Sequence, residues 1–269
     1  MYSQLQKVRD GQEKATSLMD PVASGHEKPR IILVSRKLPY KLELMGLGRW
    51  RAEMSSADQA LQNFRVVHEK MDCVWVGWPG TFVHPGQQRA LCEQLKDYRH
   101  VPIFLDHQQE ERFYEGFCKT ILWPLFHSSL PTTEDTIASH DVDSISEQRD
   151  EGRLWLAYKS VNQTFADAIQ GIYRDGDLIW VHDYHLTVLP QMLRNLLPRA
   201  KIGFFLHLPF PSSEIYRILP YREEILEGVL SSDMIGFQTY DYARHFLSTV
   251  ESLLDAICSP QACLSLLWW

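Results

Sequence analysis

Two polar stretches each follow an apolar run with the composition of a buried strand. His182, Asp183 and His185 follow the first run, and His207 follows the second. In a doubly wound sheet, ligands gather beyond the carboxyl ends of the strands, so both stretches can face one cleft. A carboxylate such as that of Asp183 can accept hydrogen bonds from sugar hydroxyls, and the His207 ring can donate or accept one beside a reacting bond.

Each of these residues also has a purely structural interpretation. Asp183 could cap a helix that begins near Leu186, and His207 could be a satisfied histidine at a strand end. His182 and His185, with His207, could suggest a metal site, but zinc needs ligands on a common face and a fourth partner. No cysteine or carboxylate stands at a suitable interval. We therefore predict neither a metal nor another cofactor.

Two aromatic clusters, at 75–80 and 113–127, have a similar ambiguity. Most aromatic side chains belong to a protein core, yet aromatic walls with a few polar tips also suit a sugar-binding pocket. Composition alone leaves both interpretations open.

The order of apolar and polar segments predicts an α/β fold. Residues 1–30 are polar and predict a flexible leader, and the run that starts at Ile31 predicts the first strand. A Ser-, Thr-, Asp- and Glu-rich tract at about 128–153 predicts a long surface insertion. Apolar runs at 177–182, 202–207 and 234–237 alternate with helical periodicity at 154–173, 186–197, 222–230 and 240–257. This pattern predicts a Rossmann-like parallel sheet with helices on both faces.

The composition excludes several classes of partner. The formal net charge of −7 is spread along the chain without a basic stripe, so we expect no nucleic-acid partner. We also expect no membrane association, because no run approaches the roughly 18 apolar residues of a membrane span and the first thirty residues lack a signal-peptide pattern. Five cysteines without a close pair predict free thiols in a reducing, cytoplasmic compartment.

Six sequence blocks in the same order resemble the retaining, UDP-glucose-dependent trehalose-6-phosphate synthases. These blocks are VWVGWPG (74–80), YEGFCKTILWPLFH (114–127), AYKSVNQTFA (157–166), IWVHDYHLTVLP (179–190), IGFFLHLPFPSSEIYRILP (202–220) and DMIGFQTYDYARHFLS (233–248). The resemblance implies one half of a two-domain GT-B glycosyltransferase, with its amino-terminal, acceptor-side domain at 31–257. It also implies a reaction that joins glucose from UDP-glucose to glucose 6-phosphate.

The resemblance also assigns roles to individual residues. Tyr114 and Trp123 are expected to help hold the acceptor and its phosphate, Trp78 to line the same pocket, Asp183 to contact acceptor hydroxyls, and His207 to lie beside the transferred glucosyl group. Such enzymes are thought to use no protein nucleophile, so that catalysis rests on positioning and electrostatics.

Two segments depart from the family pattern. The family's first strand usually ends in Ser-Asn-Arg-Leu-Pro, whereas this chain has Lys37 at the arginine position. A lysine offers a point charge in place of a bidentate fork, and the neighbouring Arg36 could substitute, although adjacent residues at a strand end tend to point opposite ways. The Gly-Gly-Leu loop for the donor phosphates is represented at best by Gly46 and Leu47.

The resemblance fades after Ile257, and residues 258–269 form a divergent apolar tail. We therefore expect a truncated chain that lacks the donor domain and is inactive on its own. The alternative is a non-catalytic, sugar-phosphate-binding regulatory subunit of a trehalose synthase complex. Association with full-length synthase or phosphatase subunits is expected in either case.

Overall fold

The computed structural model describes residues 30–45, 49–54, 71–128, 144–254 and 266–267. The described strands of the main sheet are β1 (Ile31–Lys37), β4 (Cys73–Trp78), β5 (His100–Pro102), β6 (Leu178–His182), β7 (Lys201–Leu206), β8 (Met234–Phe237) and β9 (Leu266–Leu267). They lie in the order β5-β4-β1-β6-β7-β8-β9, and every pair of neighbours is parallel. The predicted Rossmann-like parallel sheet is thus confirmed.

Alternation along β1 supplies two separate cores. Ile32 and Val34 pack into the larger core, whereas Leu33 between them packs into the smaller one on the opposite face. Successive side chains of a strand point to opposite faces, and both faces of a parallel sheet must be covered. The β-branched run that predicted a buried strand is therefore buried on both sides.

Helices cover the two faces unequally. The smaller core contains Leu91 and Leu95 of α1 (Pro85–Lys96), together with Tyr40 and Trp50 from the antiparallel hairpin β2 (Tyr40–Met45) and β3 (Arg49–Met54). The other helical segments with core residues pack into the larger core. They are the π-helix Glu111–Leu122, α3 (Trp123–Phe126), α4 (Ser144–Ile172), the 3₁₀-helix Tyr184–Leu186, α5 (Leu189–Leu196), α6 (Ser213–Tyr216), α7 (Arg222–Leu230) and α8 (Tyr240–Leu253). A four-residue helix, α2 (His107–Glu110), precedes the π-helix.

The structure adds detail at two of the predicted segment boundaries. Arg30 is not part of a separate leader, because its guanidinium pairs with the buried Asp177 carboxylate at 3.0 Å, just before β6. The second half of the predicted surface insertion is also helical, since α4 begins at Ser144. The polar composition of this part did not indicate a helix. Its first residues lie before the apolar face of the helix, which begins near Leu154.

Several other predictions fall on residues outside the described ranges. These are the leader at 1–29, the first part of the insertion at 129–143, the loop residues Gly46 and Leu47, and all of the tail except 266–267. Within the described residues, no helix is long and apolar enough to cross a membrane.

Candidate functional site

Asp183 lies directly after β6 in an unusual backbone conformation. Its φ is 73° and its ψ is 169°, a region that is populated almost only by glycine. Its backbone N–H donates to the carbonyl of Phe205 on β7 at 2.8 Å, and its carboxylate accepts from the backbone N–H of His207 at 3.3 Å. Asp183 stands at the N-cap position of the 3₁₀-helix that follows, but its side chain makes no capping bond to that helix.

His207 faces His182 across the ends of two adjacent strands. The Nδ1 atom of His182 and the Nε2 atom of His207 are 3.1 Å apart, which is hydrogen-bond distance. Burial lowers the pKa of His182 well below its usual value, and the charge that His207 would carry lowers it further. The His182 ring is therefore neutral, and a hydrogen bond joins the two facing nitrogens.

Arg36 leaves β1 toward the π-helix and meets two aromatic rings. Its guanidinium carbon lies 3.6 Å from the ring centroid of Tyr114 and 5.8 Å from that of Trp78. A guanidinium over an aromatic face is attracted by the ring quadrupole. An Arg36 nitrogen also lies 3.6 Å from a carboxylate oxygen of Glu110, whose pKa is raised by burial and lowered in part by Arg36.

Tyr114 lies between Arg36 and the residues around Asp183. Its ring centroid lies 5.7 Å from that of His185, and the Nδ1 atom of His185 is 3.7 Å from an Asp183 carboxylate oxygen. Burial lowers the pKa of His185 well below its usual value, and Arg36 lowers it further. A neutral His185 therefore stands between Arg36 and Asp183, and it separates their opposite charges without adding one.

Trp123 and Trp78 differ in their exposure to solvent. Trp123 is 44% exposed, and its ring lies 6.0 Å from that of Tyr184, the residue after Asp183. Trp78 is half-buried, and its indole N–H is buried without a hydrogen-bond partner among the described residues. A buried indole N–H usually has an acceptor, so this donor is an exception among the described residues.

Lys37 takes a different direction from Arg36. A Cβ atom built on Gly80 would lie 2.4 Å from the Lys37 Cε and 3.0 Å from its Nζ, so the lysine side chain crosses the glycine backbone. Gly80 has a φ of +84°, which itself favours glycine. Lys37 therefore lies on the loop after β4, and Arg36 extends over the aromatic rings.

Most of the predicted site residues are therefore close together. A continuous series of contacts through His185 joins Arg36, Trp78, Tyr114, Asp183 and His207. Trp123 and Lys37 lie beside this series. Gly46 and Leu47 lie outside the described residues. The described residues contain no cluster of three or more His, Cys, Asp or Glu side chains able to hold a metal.

The sequence did not single out Glu110, and it raised His182 and His185 only as candidates for a metal site. A signal for His182 was present, because His182 and His207 end two consecutive strand-like runs. Glu110 had no such signal, because its proximity to Arg36 depends on how the π-helix packs against β1.

Comparisons with known proteins identify the family of the chain. The sequence profile of glycosyltransferase family 20 matches residues 29–266. Over 236 residues the chain is 44% identical to alpha,alpha-trehalose-phosphate synthase (UDP-forming) 1 of Aspergillus niger, covering 86% of the chain and 43% of that protein.

Two solved structures have the same fold. The trehalose-6-phosphate phosphatase N-terminal domain of Candida albicans matches with a TM-score of 0.69 at 29% identity, over 90% of this chain and 47% of that one. A UDP-forming trehalose-phosphate synthase of Burkholderia xenovorans in complex with glucose-6-phosphate matches with a TM-score of 0.60 at 26% identity, over 83% and 43%. The chain spans less than half the length of these relatives. Because the family profile covers most of the chain, the chain belongs to glycosyltransferase family 20.

Proposed function

We propose that this chain supplies the acceptor-binding domain of a retaining glycosyltransferase that makes trehalose 6-phosphate and UDP from UDP-glucose and glucose 6-phosphate. The observation that carries the proposal is the convergence of Asp183, His207, Arg36 and Tyr114 at one edge of the sheet. The similarity to UDP-forming trehalose-phosphate synthases supports the choice of reaction.

Glucose 6-phosphate offers two kinds of group, and the site has a matching set for each. The Asp183 carboxylate would accept hydrogen bonds from sugar hydroxyls. Arg36 would bind the phosphate, because a guanidinium presents several donors in a planar fork that suits phosphate oxygens. Lys37 would add a second positive charge from the Gly80 loop, and Trp78, Tyr114 and Trp123 would form the apolar walls against the sugar ring.

The transfer step would require little covalent chemistry from the protein. The bond between the glucosyl anomeric carbon and the UDP phosphate oxygen breaks, and a bond to the acceptor's anomeric hydroxyl oxygen forms on the same face. The acceptor proton passes to the leaving phosphate. His207 would lie beside the glucosyl group and hold it by a hydrogen bond, so that its contribution is positioning and electrostatic.

Calorimetric titration of the purified chain tests the proposal. Glucose 6-phosphate is expected to bind more tightly than glucose or inorganic phosphate alone, because only the sugar phosphate uses both halves of the site. Titration with UDP-glucose and an assay for UDP release address the donor. Failure of the wild-type chain to bind glucose 6-phosphate would contradict the proposal, and UDP release that depends on glucose 6-phosphate would show that the chain also handles the donor.

Two further expectations belong to the same proposal. A cytoplasmic location is supported by the free thiols of Cys73, Cys92 and Cys118. Association with synthase or phosphatase subunits is a prediction that co-purification with those subunits would test.

A further inference from the structure

The turn after Asp183 is held by a buried tyrosine of α4. The hydroxyl of Tyr158 lies 2.8 Å from the carbonyl oxygen of Tyr184, 2.7 Å from the hydroxyl of Thr187 and 3.0 Å from the backbone N–H of Thr187. A phenol has one proton and accepts two hydrogen bonds. Tyr158 therefore donates to the Tyr184 carbonyl and accepts both bonds from Thr187, which uses its full capacity at zero exposure.

Asn162, one helical turn later, holds the same segment. Its side-chain nitrogen donates to the carbonyls of Tyr158 and His185 at 2.9 and 3.2 Å, and the residue is fully buried. Its side-chain oxygen is buried without a hydrogen-bond partner among the described residues. An unmade hydrogen bond costs free energy that an apolar residue of the same shape would not incur. The two donated bonds tie the carbonyl of His185 to α4.

Helix α7 blocks the opposite side of the turn. A Cβ atom built on Gly228 would lie 2.5 Å from the carbonyl oxygen of Thr187 and 2.8 Å from the Cα atom of Val188. Backbone therefore packs directly against backbone here, with no room for the turn to move toward α7. The segment 184–187 is fixed between hydrogen bonds from α4 and close packing from α7.

This clamp explains how Asp183 keeps its conformation. A non-glycine residue with φ near +73° is strained and persists only when its surroundings determine it. If the turn loosened, Asp183 would relax toward negative φ and its carboxylate would swing away from His207. We propose that Tyr158 and Asn162 are positioning residues of the acceptor site, which hold the Asp183 carboxylate through the backbone that follows it. This inference rests on the proposed function.

The variant Tyr158→Phe tests the inference in the full chain. It removes the hydroxyl and leaves the ring, so the helix and core packing are expected to persist. The affinity for glucose 6-phosphate, measured by calorimetry, should fall about ten-fold, the equivalent of one lost hydrogen bond of this kind. Hydrogen–deuterium exchange should accelerate at residues 184–187.

Tyr216→Phe is the matched control. Tyr216 is also fully buried, and its hydroxyl donates to the Arg222 carbonyl at 3.3 Å, outside the clamp. It should lower the melting temperature as Tyr158→Phe does, while the affinity and the exchange at 184–187 stay as in the wild type. Equal losses of affinity in the two variants, in proportion to their losses of stability, would overturn the inference.

Thr187→Val approaches the same hydrogen bond from its other end. It should also weaken binding. The double variant with Tyr158→Phe should bind no worse than the weaker-binding of the two single variants, because both substitutions remove the same interaction. If the wild type binds glucose 6-phosphate and Asp183→Ala weakens that binding, unchanged affinity in Tyr158→Phe and Thr187→Val would overturn the inference alone. If the wild type does not bind, the proposed function fails, and unchanged exchange at 184–187 would then reject the clamp itself.

Discussion

The carboxylate side and the cationic side of the site are built differently. On the carboxylate side, Asp183 and His207 follow adjacent buried strands and are tied to each other through the backbone. On the cationic side, Arg36 is held by two aromatic faces and by a 3.6 Å contact with Glu110, without a short hydrogen bond between the two charges. The first side is fixed before a ligand arrives, whereas the second has a carboxylate in a position where a phosphate could compete.

These two arrangements should contribute differently to the free energy of binding. A preformed group needs no reorganisation when a ligand binds, so its hydrogen bonds contribute to affinity in full. A cation that must leave one anion for another contributes only the difference between the two interactions. We therefore expect recognition of the sugar hydroxyls to depend more on single residues than recognition of the phosphate does.

The largest expected effect comes from Asp183→Gly, compared with Asp183→Ala. Both remove the carboxylate, and affinity for glucose 6-phosphate should fall about 100-fold in each, as for two lost hydrogen bonds to a charged group. Only glycine relieves the backbone strain, so the glycine variant should be more stable than the alanine variant by about 1–2 kcal/mol. Calorimetry and urea unfolding measure the two quantities.

Equal stabilities of these two variants would show that Asp183 is not strained in solution. Retained affinity in both would show that the carboxylate does not touch the acceptor.

A smaller effect is expected from Arg36→Gln, with Lys37→Gln as the matched comparison. Arg36→Gln should weaken glucose 6-phosphate about ten-fold while the affinity for glucose changes little, because the charge faces the phosphate. Lys37→Gln should have the weaker effect, since its ammonium lies over Gly80 rather than over the aromatic rings. Titrations of each variant with both sugars measure the ratio. The opposite ranking would make Lys37 the principal phosphate ligand.

The last prediction concerns pH and the buried histidines of the carboxylate side. Burial lowers the folded-state pKa of His182 and His185 below the unfolded value of about 6.5. Their contribution to stability is therefore complete above pH 6.5 and is lost as pH falls toward the folded-state values. Each should add a slope of up to about 1.4 kcal/mol per pH unit in that window.

Urea unfolding at several pH values between 5 and 7 measures this slope. His182→Asn should reduce it, because asparagine keeps a polar group near His207 but does not titrate. An unchanged slope would mean that the pKa of His182 is the same in the folded and the unfolded protein.

The sequence predicted the sheet well because its signals were local. Apolar runs at β6, β7 and β8 separated by helical periodicity define parallel strands, whatever the rest of the chain does. The hairpin of β2 and β3 was not predicted, although Leu42 and Leu44 alternate with Lys41 and Glu43, which is the pattern of a half-buried strand. Tyr40 and Trp50 anchor the hairpin in the smaller core.

The sequence named residues that the structure brings close together, but it did not give their geometry. The resemblance supplied Tyr114, Asp183 and His207, but the left-handed φ of Asp183 follows from tertiary contacts that no local pattern encodes. The relation of Arg36 to Lys37 depended on the end of β1, where the pairing with β4 shifts register between Val34 and Lys37. Such a bulge re-aims side chains, and apolar alternation does not reveal it.

The π-helix that carries Tyr114 also governs how this chain should be aligned with others. The backbone N–H of Trp123 donates to the carbonyl of Cys118, five residues earlier, so this segment accommodates an extra residue relative to an α-helix. Removing one residue between Cys118 and Trp123 would rotate everything before it relative to everything after it. In a relative that lacks one residue at this point, the side chains before the gap would be rotated about the helix axis. A different aromatic side chain could then face Arg36, even if the aligned residues were identical.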